Sequence, residues 1–167
     1  AALEAERVQR DRLEFLTTVN DALVGSADEA DLLEHVAWSF VPRFGDWCAL
    51  YLHDDEAGTF ISGFEVAHAD PVVASKARDM IEAEPPHPEL TRGVSRVLRT
   101  GEADRWDDHG GEALPGVLAR VAANLPDLRV ASVVTLPLVK RGRTLGALQV
   151  ARAEGHFDDE EVSLATA

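Results

Sequence analysis

The sequence predicts an α+β domain in which helices cover both faces of a central, mainly antiparallel sheet of five to six strands. The predicted elements follow the order α-α-β-β-α-α-β-α-β-β-α, and consecutive strands of this kind pair as hairpins instead of alternating with helices. The most apolar stretch, SVVTLPLVKRGRTLGALQV (residues 132–150), predicts one such hairpin around a tight turn. Its first strand is apolar on both faces, because Thr135 is the only polar side chain between Val133 and Val139. Both faces of the sheet must therefore be covered.

Composition limits the classes of function. The chain has 167 residues, of which 46% are hydrophobic and 28% are charged, as expected for one globular domain. A formal net charge of −14 argues against nucleic acid or an anionic membrane as a partner, because both would repel the chain. The apolar runs are shorter than the roughly 18 residues of a membrane span, which predicts no membrane contact by this segment. The chain begins at Ala1 and ends within a predicted helix, so we interpret it as a piece of a longer protein.

Cysteine and histidine usage limits the chemistry. Cys48 is the only cysteine, so neither an intramolecular disulfide nor a thiolate metal cluster can form. This usage fits a reducing, cytoplasmic location. The histidines show no H-x-x-x-H or H-E-x-x-H spacing, and the adjacent acids at 54–55 and 107–108 lie in polar turns, where acids are usually solvated. The sequence therefore predicts no metal site.

The first part of the chain divides into two regions. Residues 3 to about 24 predict a helix whose charged first half precedes a thin apolar stripe, which one domain alone would bury poorly. We interpret residues 1–24 as a signalling and dimerisation helix and residues 25–167 as the globular domain, with its final helix truncated. Ser26 and Glu29 form an S-x-x-E capping box at the start of the next predicted helix.

The remaining elements follow in order. The segments DWCALYLHD (46–54) and TFISGFEVAHADP (59–71) predict a first hairpin. A helix over about 72–83 leads through the proline-rich EAEPPHPEL to a short helix in TRGVSRVLRTG, which Gly101 ends. GEADRW predicts a short edge strand, and GVLARVAANL predicts a helix. FDDEEVSLATA, after the second hairpin, begins a final helix with acidic residues in its first turn.

Four stretches resemble a known family: DWCALYLHDD followed by EVAHADP, then RGVSRVLRTGE, then SVVTLPLVKRGRTLGALQVARAEGHFDDEEVSLA. In this order they resemble the GAF domains, a family of small-molecule sensory domains, from Leu13 to the C-terminus. They look most like GAF domains of multidomain bacterial signalling proteins, ahead of PP2C-like phosphatase or histidine kinase modules. The resemblance implies that the terminal helices and the second helix pack on one face of the sheet. It also implies that residues 72–128 roof the other face and enclose a ligand, as in many members.

The hairpin would form the floor of such a pocket, and its two-residue turn predicts which of its residues share a face. One face is expected to carry Val133, Thr135, Pro137, Gly146, Leu148 and Val150. The other face is expected to carry Val134, Leu136, Leu138, Leu145, Ala147 and Gln149. The sequence leaves open which of the two faces lines the pocket.

Seven residues are candidates for contact with a ligand: Phe64, His68, Arg92, Val94, Trp106, Thr135 and Gln149. Phe64 and Trp106 could wall a pocket, although both suit an ordinary core equally well. Arg92 lies one helical turn from Arg96, near the amide-rich start of the short helix, where an anionic ligand could be held. The alternative is a pair of surface arginines that offset a very acidic protein. His68 ends the second strand beside the expected roof, either as a ligand contact or as a solvent-edge histidine.

Known ligands of the family can be compared with this sequence directly. Members that bind cyclic nucleotides carry an N-K…F…D…E signature; Phe157, Asp159 and Glu160 match its end, but VARAEGH stands where the Asn-Lys pair would be. Bilin-binding members use a cysteine near the pocket, whereas Cys48 lies in the first strand. The free methionine sulfoxide reductases need several cysteines, and one thiol cannot complete their cycle. A single candidate such as His68 is weak evidence for haem. No cofactor is identified, and the sequence argues against both haem and bilin.

The resemblance implies a regulatory sensory domain that binds a small molecule between the sheet and residues 72–128 and transmits its state through the terminal helices. The expected partners are a covalently attached effector domain and a second copy, joined as a homodimer through those helices. The alternative is a ligand-free dimerisation and transmission module in which the roof helix fills the apolar face. No enzyme and no catalytic residue are predicted, because the motifs G-x-S-x-G, G-x-x-x-x-G-K and G-x-G-x-x-G are all absent. A large, partly polar cavity under the roof would favour sensing, and a packed interior would favour the alternative.

Overall fold

The structure is a computed structural model that describes residues 29–42, 44–54 and 59–157. The helices of this part of the chain are α1 (Glu29–Ser39), α2 (Pro71–Ala83), α3 (Val94–Thr100) and α4 (Gly116–Asn124). The strands are β1 (Trp47–Asp54), β2 (Thr59–His68), β3 (Asp104–Asp107), β4 (Ser132–Lys140) and β5 (Arg143–Arg152). The predicted helix at 3–24, the Ser26 capping residue, the boundary at residue 25 and the final helix lie outside the described residues.

The strands form one sheet in the order β2-β1-β5-β4-β3, and every neighbouring pair is antiparallel. This arrangement confirms the predicted α+β class with five strands. The segment GEADRW forms the edge strand β3, as expected, and β2 forms the opposite edge. The two long hairpins, β1–β2 and β4–β5, therefore meet in the middle of the sheet, where β1 pairs with β5.

The start of α2 and the end of α3 follow from local sequence. Asp70 accepts a hydrogen bond from the Val72 amide at 2.9 Å, and Pro71 occupies the first turn of α2, where a missing N–H costs nothing. Because Asp70 caps the helix, β2 ends at His68, three residues before the end of the predicted segment. Gly101 ends α3 in the left-handed conformation, with a φ of 71°, as its position in the sequence predicts.

Each face of the sheet is covered by its own set of helices. We call the side that packs against α1 the helix face and the side under α2, α3 and α4 the lid face. The strand residues buried on the helix face are Cys48, Leu50, Ala67, Val134, Leu136, Leu138, Leu148 and Val150. The apolar strand residues buried on the lid face are Trp47, Ala49, Tyr51, Val66, Val133, Ala147 and Ala151. Helices on both faces give the layered arrangement that the doubly apolar hairpin requires.

The β4–β5 hairpin departs from the predicted register. Next to the turn, Val139 pairs with Thr144, as a two-residue turn requires, but the register then shifts by one residue and Leu138 pairs with Gly146. Gly146 suits this position, because a Cβ atom there would lie 2.3 Å from the carbonyl oxygen of Tyr51 on β1. One extra residue in β5 therefore separates the turn from the rest of the ladder.

This shift makes the predicted faces of β5 wrong. A one-residue change of register moves every following side chain of a strand to the other face. Thr135 consequently pairs with Gln149, and both lie on the lid face. Leu148 and Val150, which were expected beside Thr135, are buried on the helix face instead.

Candidate functional site

Three buried polar atoms without a hydrogen-bond partner lie on the lid face. They are the indole Nε1 of Trp47, the hydroxyl of Tyr51 and the side-chain Oε1 of Gln149. Ala49 pairs with Gln149 across β1 and β5, and Trp47 and Tyr51 stand two residues to either side of Ala49. Diagonal neighbours of this kind are about 7–8 Å apart, so the three groups belong to one area in the middle of the sheet.

Thr135 and Gln149 form the polar centre of this area. The Gln149 Nε2 donates to the Thr135 hydroxyl at 3.3 Å, and both residues are at most 3% exposed. The two ends of a glutamine amide are interchangeable in such a site. Whichever end contacts Thr135, the other end of the amide is left without a partner. Gln149 therefore keeps an unused hydrogen-bonding group under the lid.

A small cavity lies against this polar centre. Its volume is about 10 Å³, which is the space for one water molecule. Its lining comes from β3, β4, β5, the start of α3 and the segment around the start of α4: Gly93, Asp104, Arg105, Trp106, Leu114, Pro115, Leu118, Val133, Thr135 and Gln149. The structure thus brings together three of the predicted site residues, namely Trp106, Thr135 and Gln149.

A buried carboxylate borders the cavity at the start of α3. Asp104 is 8% exposed and accepts hydrogen bonds from the Arg92 Nε at 3.1 Å and from the amide of Gly93. Arg96 approaches the same carboxylate at 3.7 Å. The hydrogen bond to Asp104 raises the pKa of Arg92, so this guanidinium stays charged. The position at which the sequence left open an anionic ligand, with surface arginines as the alternative, is therefore filled by the carboxylate of Asp104.

Arg92 also ties the loop before α4 across the mouth of the cavity. Its guanidinium contacts the carboxylate of Glu112 and donates to the carbonyl oxygen of Arg105 at 2.9 Å. The indole Nε1 of Trp106 donates to the backbone carbonyl of Glu112 at 2.9 Å. The Glu112 side chain is 52% exposed, so its ion pair with Arg92, which we call the latch, is an ordinary surface ion pair.

The other predicted site residues lie elsewhere. Phe64 and His68 are on β2, at the edge of the sheet opposite β3. Phe64 stacks on Tyr51 with ring centroids 6.1 Å apart, and the His68 Nδ1 accepts a hydrogen bond from the Asp70 amide at 2.9 Å. Val94 is buried in the apolar packing of the lid. None of these residues belongs to the lining of the cavity beside Gln149.

The sequence reasoning missed Trp47, Tyr51 and Asp104. Trp47 and Tyr51 alternate with Ala49 along β1, a period-two pattern that already assigned both polar tips to one face. Asp104 stands in a predicted strand, where a buried acid needs a cationic partner, and Arg92 and Arg96 precede it in the sequence. Both signals were present, but they become meaningful only once the face and the partner are known.

Cys48 lies on the opposite side of the sheet from this area. It is fully buried on the helix face, and burial raises the pKa of its thiol far above the usual value. A neutral, buried thiol is a poor nucleophile. Its placement gives a covalent chromophore in the lid-face cavity no attachment point among the described residues.

Comparison with known proteins identifies the family. The sequence profile of the GAF domain family matches residues 26–167. The chain belongs to the GAF domain family. A comparison with curated proteins finds no match. GAF domains are regulatory sensory domains of signalling proteins.

Solved structures of low sequence identity share the fold of this GAF domain. The GAF domain of a phosphoenolpyruvate-protein phosphotransferase from Coxiella burnetii is 16% identical, with a TM-score of 0.58 over 95% of this chain and 88% of that one. The GAF domain of the same kind of enzyme from Acinetobacter is 19% identical, with a TM-score of 0.53 over 92% and 87%. A domain of a putative two-component sensor histidine kinase from Sinorhizobium meliloti 1021 is 17% identical, with a TM-score of 0.51 over 84% of each chain. No helix in the described part of this GAF domain is both long enough and apolar enough to span a membrane.

Proposed function

We propose that this GAF domain is the sensory module of a multidomain bacterial signalling protein and binds a small polar molecule under the lid. Binding would shift the lid helices and, through the terminal segments, the state of a covalently attached effector. A PP2C-like phosphatase or a histidine kinase is the effector that the sequence resemblance favours. The module acts in the cytoplasm and catalyses no reaction of its own.

One observation carries this proposal: the unpartnered polar atoms of Trp47, Tyr51 and Gln149 all lie on the lid face. A buried polar group that lacks a partner costs about 1–3 kcal/mol, so a cluster of such groups is expensive to keep without a use. A ligand that pairs with them recovers part of this cost. Since these groups are two donors and one amide, the matching ligand is a compact molecule with both hydrogen-bond acceptors and donors.

The ligand needs more room than the present cavity offers. The space of about 10 Å³ beside Gln149 holds one water molecule, so a larger molecule must displace the lid. The latch at Glu112 opposes this movement only weakly, because an exposed ion pair contributes about 0–1 kcal/mol. Opening of the lid would therefore couple ligand binding to the arrangement of α3 and α4. The free energy for signalling is the ligand's preference for the open form over the closed one.

The small cavity favours a second candidate, a ligand-free dimerisation and transmission module. Helix α4 of the lid packs Val117, Leu118 and Val121 into the lid-face core, as this alternative predicts. In that case a few ordered waters would satisfy the polar atoms of the lid face. The terminal segments would pair two copies as a homodimer, and signals would pass through the dimer without a small molecule.

A thermal-shift screen separates the two candidates. Nucleotides and small polar metabolites are added to the purified protein, and a ligand at about 100 times its Kd is expected to stabilise the fold by about 2.7 kcal/mol, or roughly 5–10 °C in Tm. Thr135→Val should abolish the shift, because it removes a hydroxyl at the polar centre. Thr91→Val, at an exposed threonine outside the site, should leave the shift unchanged.

A flat result over a broad library supports the ligand-free module. A compound that stabilises both threonine variants equally binds somewhere other than the lid-face cavity and contradicts the proposed site.

A further inference from the structure

Three potential metal ligands, none of them in the lining of the lid-face cavity, meet at one end of the sheet. They are Asp108 and His109, in the loop after β3, and His156, in the segment after β5. The His156 Nε2 lies 2.8 Å from the Asp108 Oδ1, and the His109 Nε2 lies 3.7 Å from the same oxygen. The two imidazole rings are 4.2 Å apart between centroids. All three ligand atoms lie within 4.8 Å of one another.

The backbone fixes Asp108 and His109. The amide of Asp108 donates to the carbonyl oxygen of Ala131 at 2.9 Å, which fastens the loop to the start of β4. The amide of His109 donates to the Asp107 side chain at 2.9 Å. These hydrogen bonds orient the loop that carries two of the three ligands.

The segment of His156 is held from the other side. The carbonyl oxygen of Gly155 accepts from the Ser132 hydroxyl at 2.9 Å, and the carbonyl oxygen of His156 accepts from Arg152 at 3.0 Å. Ser132 and Arg152 bind main-chain oxygens of this segment, so the imidazole of His156 is left for its contact with Asp108. Two separately anchored segments therefore bring their ligands to one point.

We propose that Asp108, His109 and His156 bind a divalent transition-metal ion, with Zn²⁺ as the best fit. A zinc ion takes nitrogen and carboxylate oxygen ligands at about 2.0–2.2 Å, and two ligands of a tetrahedral ion are then roughly 3.3 Å apart. The observed separations of 2.8 and 3.7 Å bracket this value.

The ligand set favours zinc and its neighbours over magnesium or calcium. Imidazole nitrogens suit borderline transition metals, whereas Mg²⁺ and Ca²⁺ prefer sites made of oxygen atoms alone. When the metal binds the Nε2 of His156, the single proton of that neutral ring resides on Nδ1, and the hydrogen bond to Asp108 is exchanged for a metal bond. Three protein ligands leave at least one position for water.

Such a site would join two parts of the domain that are far apart in sequence. The loop after β3 also carries Glu112, which binds Arg92 across the mouth of the cavity. A metal ion would fix this loop to the segment that follows β5. This inference does not depend on the proposed small-molecule site. A bound metal ion would be a second signal to which the domain responds.

Calorimetric titration of the untagged, chelator-treated protein with a zinc salt tests the proposal. One ion per chain should bind, and the same ion should raise Tm, because it binds only the folded arrangement. His109→Ala and His156→Ala should each weaken binding by roughly tenfold or more, since even contacts around a metal ligand are worth that much. A magnesium salt should produce no comparable binding.

Histidines elsewhere provide matched controls. His35→Ala, on the exposed side of α1, should bind zinc as the parent protein does. Circular dichroism should show that both ligand variants remain folded. Zinc affinity that is equal in the His35, His109 and His156 variants, or no measurable binding in the parent, would overturn the assignment without affecting the lid-face proposal.

Discussion

The two faces of the sheet differ in the polarity of the side chains buried at their centres. At the centre of the helix face, Leu50, Leu136 and Leu148 are buried among apolar side chains of α1. At the centre of the lid face, Thr135 and Gln149 are equally buried, yet they are polar. Every buried side-chain nitrogen or oxygen of the described strands that lacks a hydrogen-bond partner is on the lid face. The buried side chains of the helix face are thus apolar, whereas the lid face carries buried hydrogen-bonding groups that cost stability when they are unpaired.

The two carboxylates that bind Arg92 also differ in burial. Asp104 is buried on the lid side and receives Arg92, Gly93 and the nearby Arg96. Glu112 is half-exposed and binds Arg92 from the solvent side. The buried carboxylate shapes the start of α3, whereas the exposed one can release the loop at little cost. The lid thus has one buried attachment at Asp104, which we call the firm attachment, and one solvent-exposed attachment at Glu112.

The largest expected effect is on the helix face. Leu148→Ala should lower the free energy of unfolding by about 2–5 kcal/mol, because it removes a fully buried side chain from a packed core. Urea denaturation measures this loss. Val139→Ala, on the same hairpin but 43% exposed, is the control and should change the free energy by less than about 0.5 kcal/mol. Comparable losses in both variants would mean that the helix face is not the main source of stability.

An intermediate effect is expected at the buried carboxylate. Asp104→Asn keeps the shape but removes the charge that faces Arg92, and hydrogen bonds to charged groups are worth about 1.5–3 kcal/mol. The free energy of unfolding should fall by about that amount. Glu102→Gln, at a carboxylate that is 72% exposed beside Arg96, should be nearly neutral. If Asp104→Asn is as mild as Glu102→Gln, the firm attachment of the lid must lie elsewhere.

The smallest effect is expected at the centre of the lid face. The double variant Thr135→Val with Gln149→Leu replaces both partners of a buried hydrogen bond by apolar groups and removes the unpaired amide end. Such a replacement is nearly neutral or stabilising, so the free energy of unfolding should change by no more than about 1 kcal/mol. Urea denaturation measures this change, which is compared with the loss caused by Leu148→Ala. A loss as large as that of Leu148→Ala would show that the polar pair is structural and would remove the contrast between the two faces.

Much of the fold was predictable, because its signals are local. The hairpins, α2, the stop of α3 at Gly101 and the edge strand in GEADRW all follow from residue periodicity, capping residues and turn residues. The chain also resembled the GAF family on stretches that lie mostly in these elements. Of the predicted site residues, Trp106, Thr135 and Gln149 line one cavity, and their strands were assigned correctly. Phe64 and His68 were placed on the right strand, but only the strand order shows that β2 is far from β3.

The sequence by itself therefore determined the order of the elements, the family and the need to cover two faces of a sheet, because these depend on patterns within short segments. The tertiary structure decided which face each residue of β5 occupies, since one register shift between Leu138 and Val139 exchanges the faces and leaves no mark in hydrophobic periodicity. It also decided that Asp104 fills the anion position at α3 and that Asp108 and His156, distant in sequence, meet at 2.8 Å. These are contacts between separate segments, and their geometry depends on how the strands pair and how far each loop reaches.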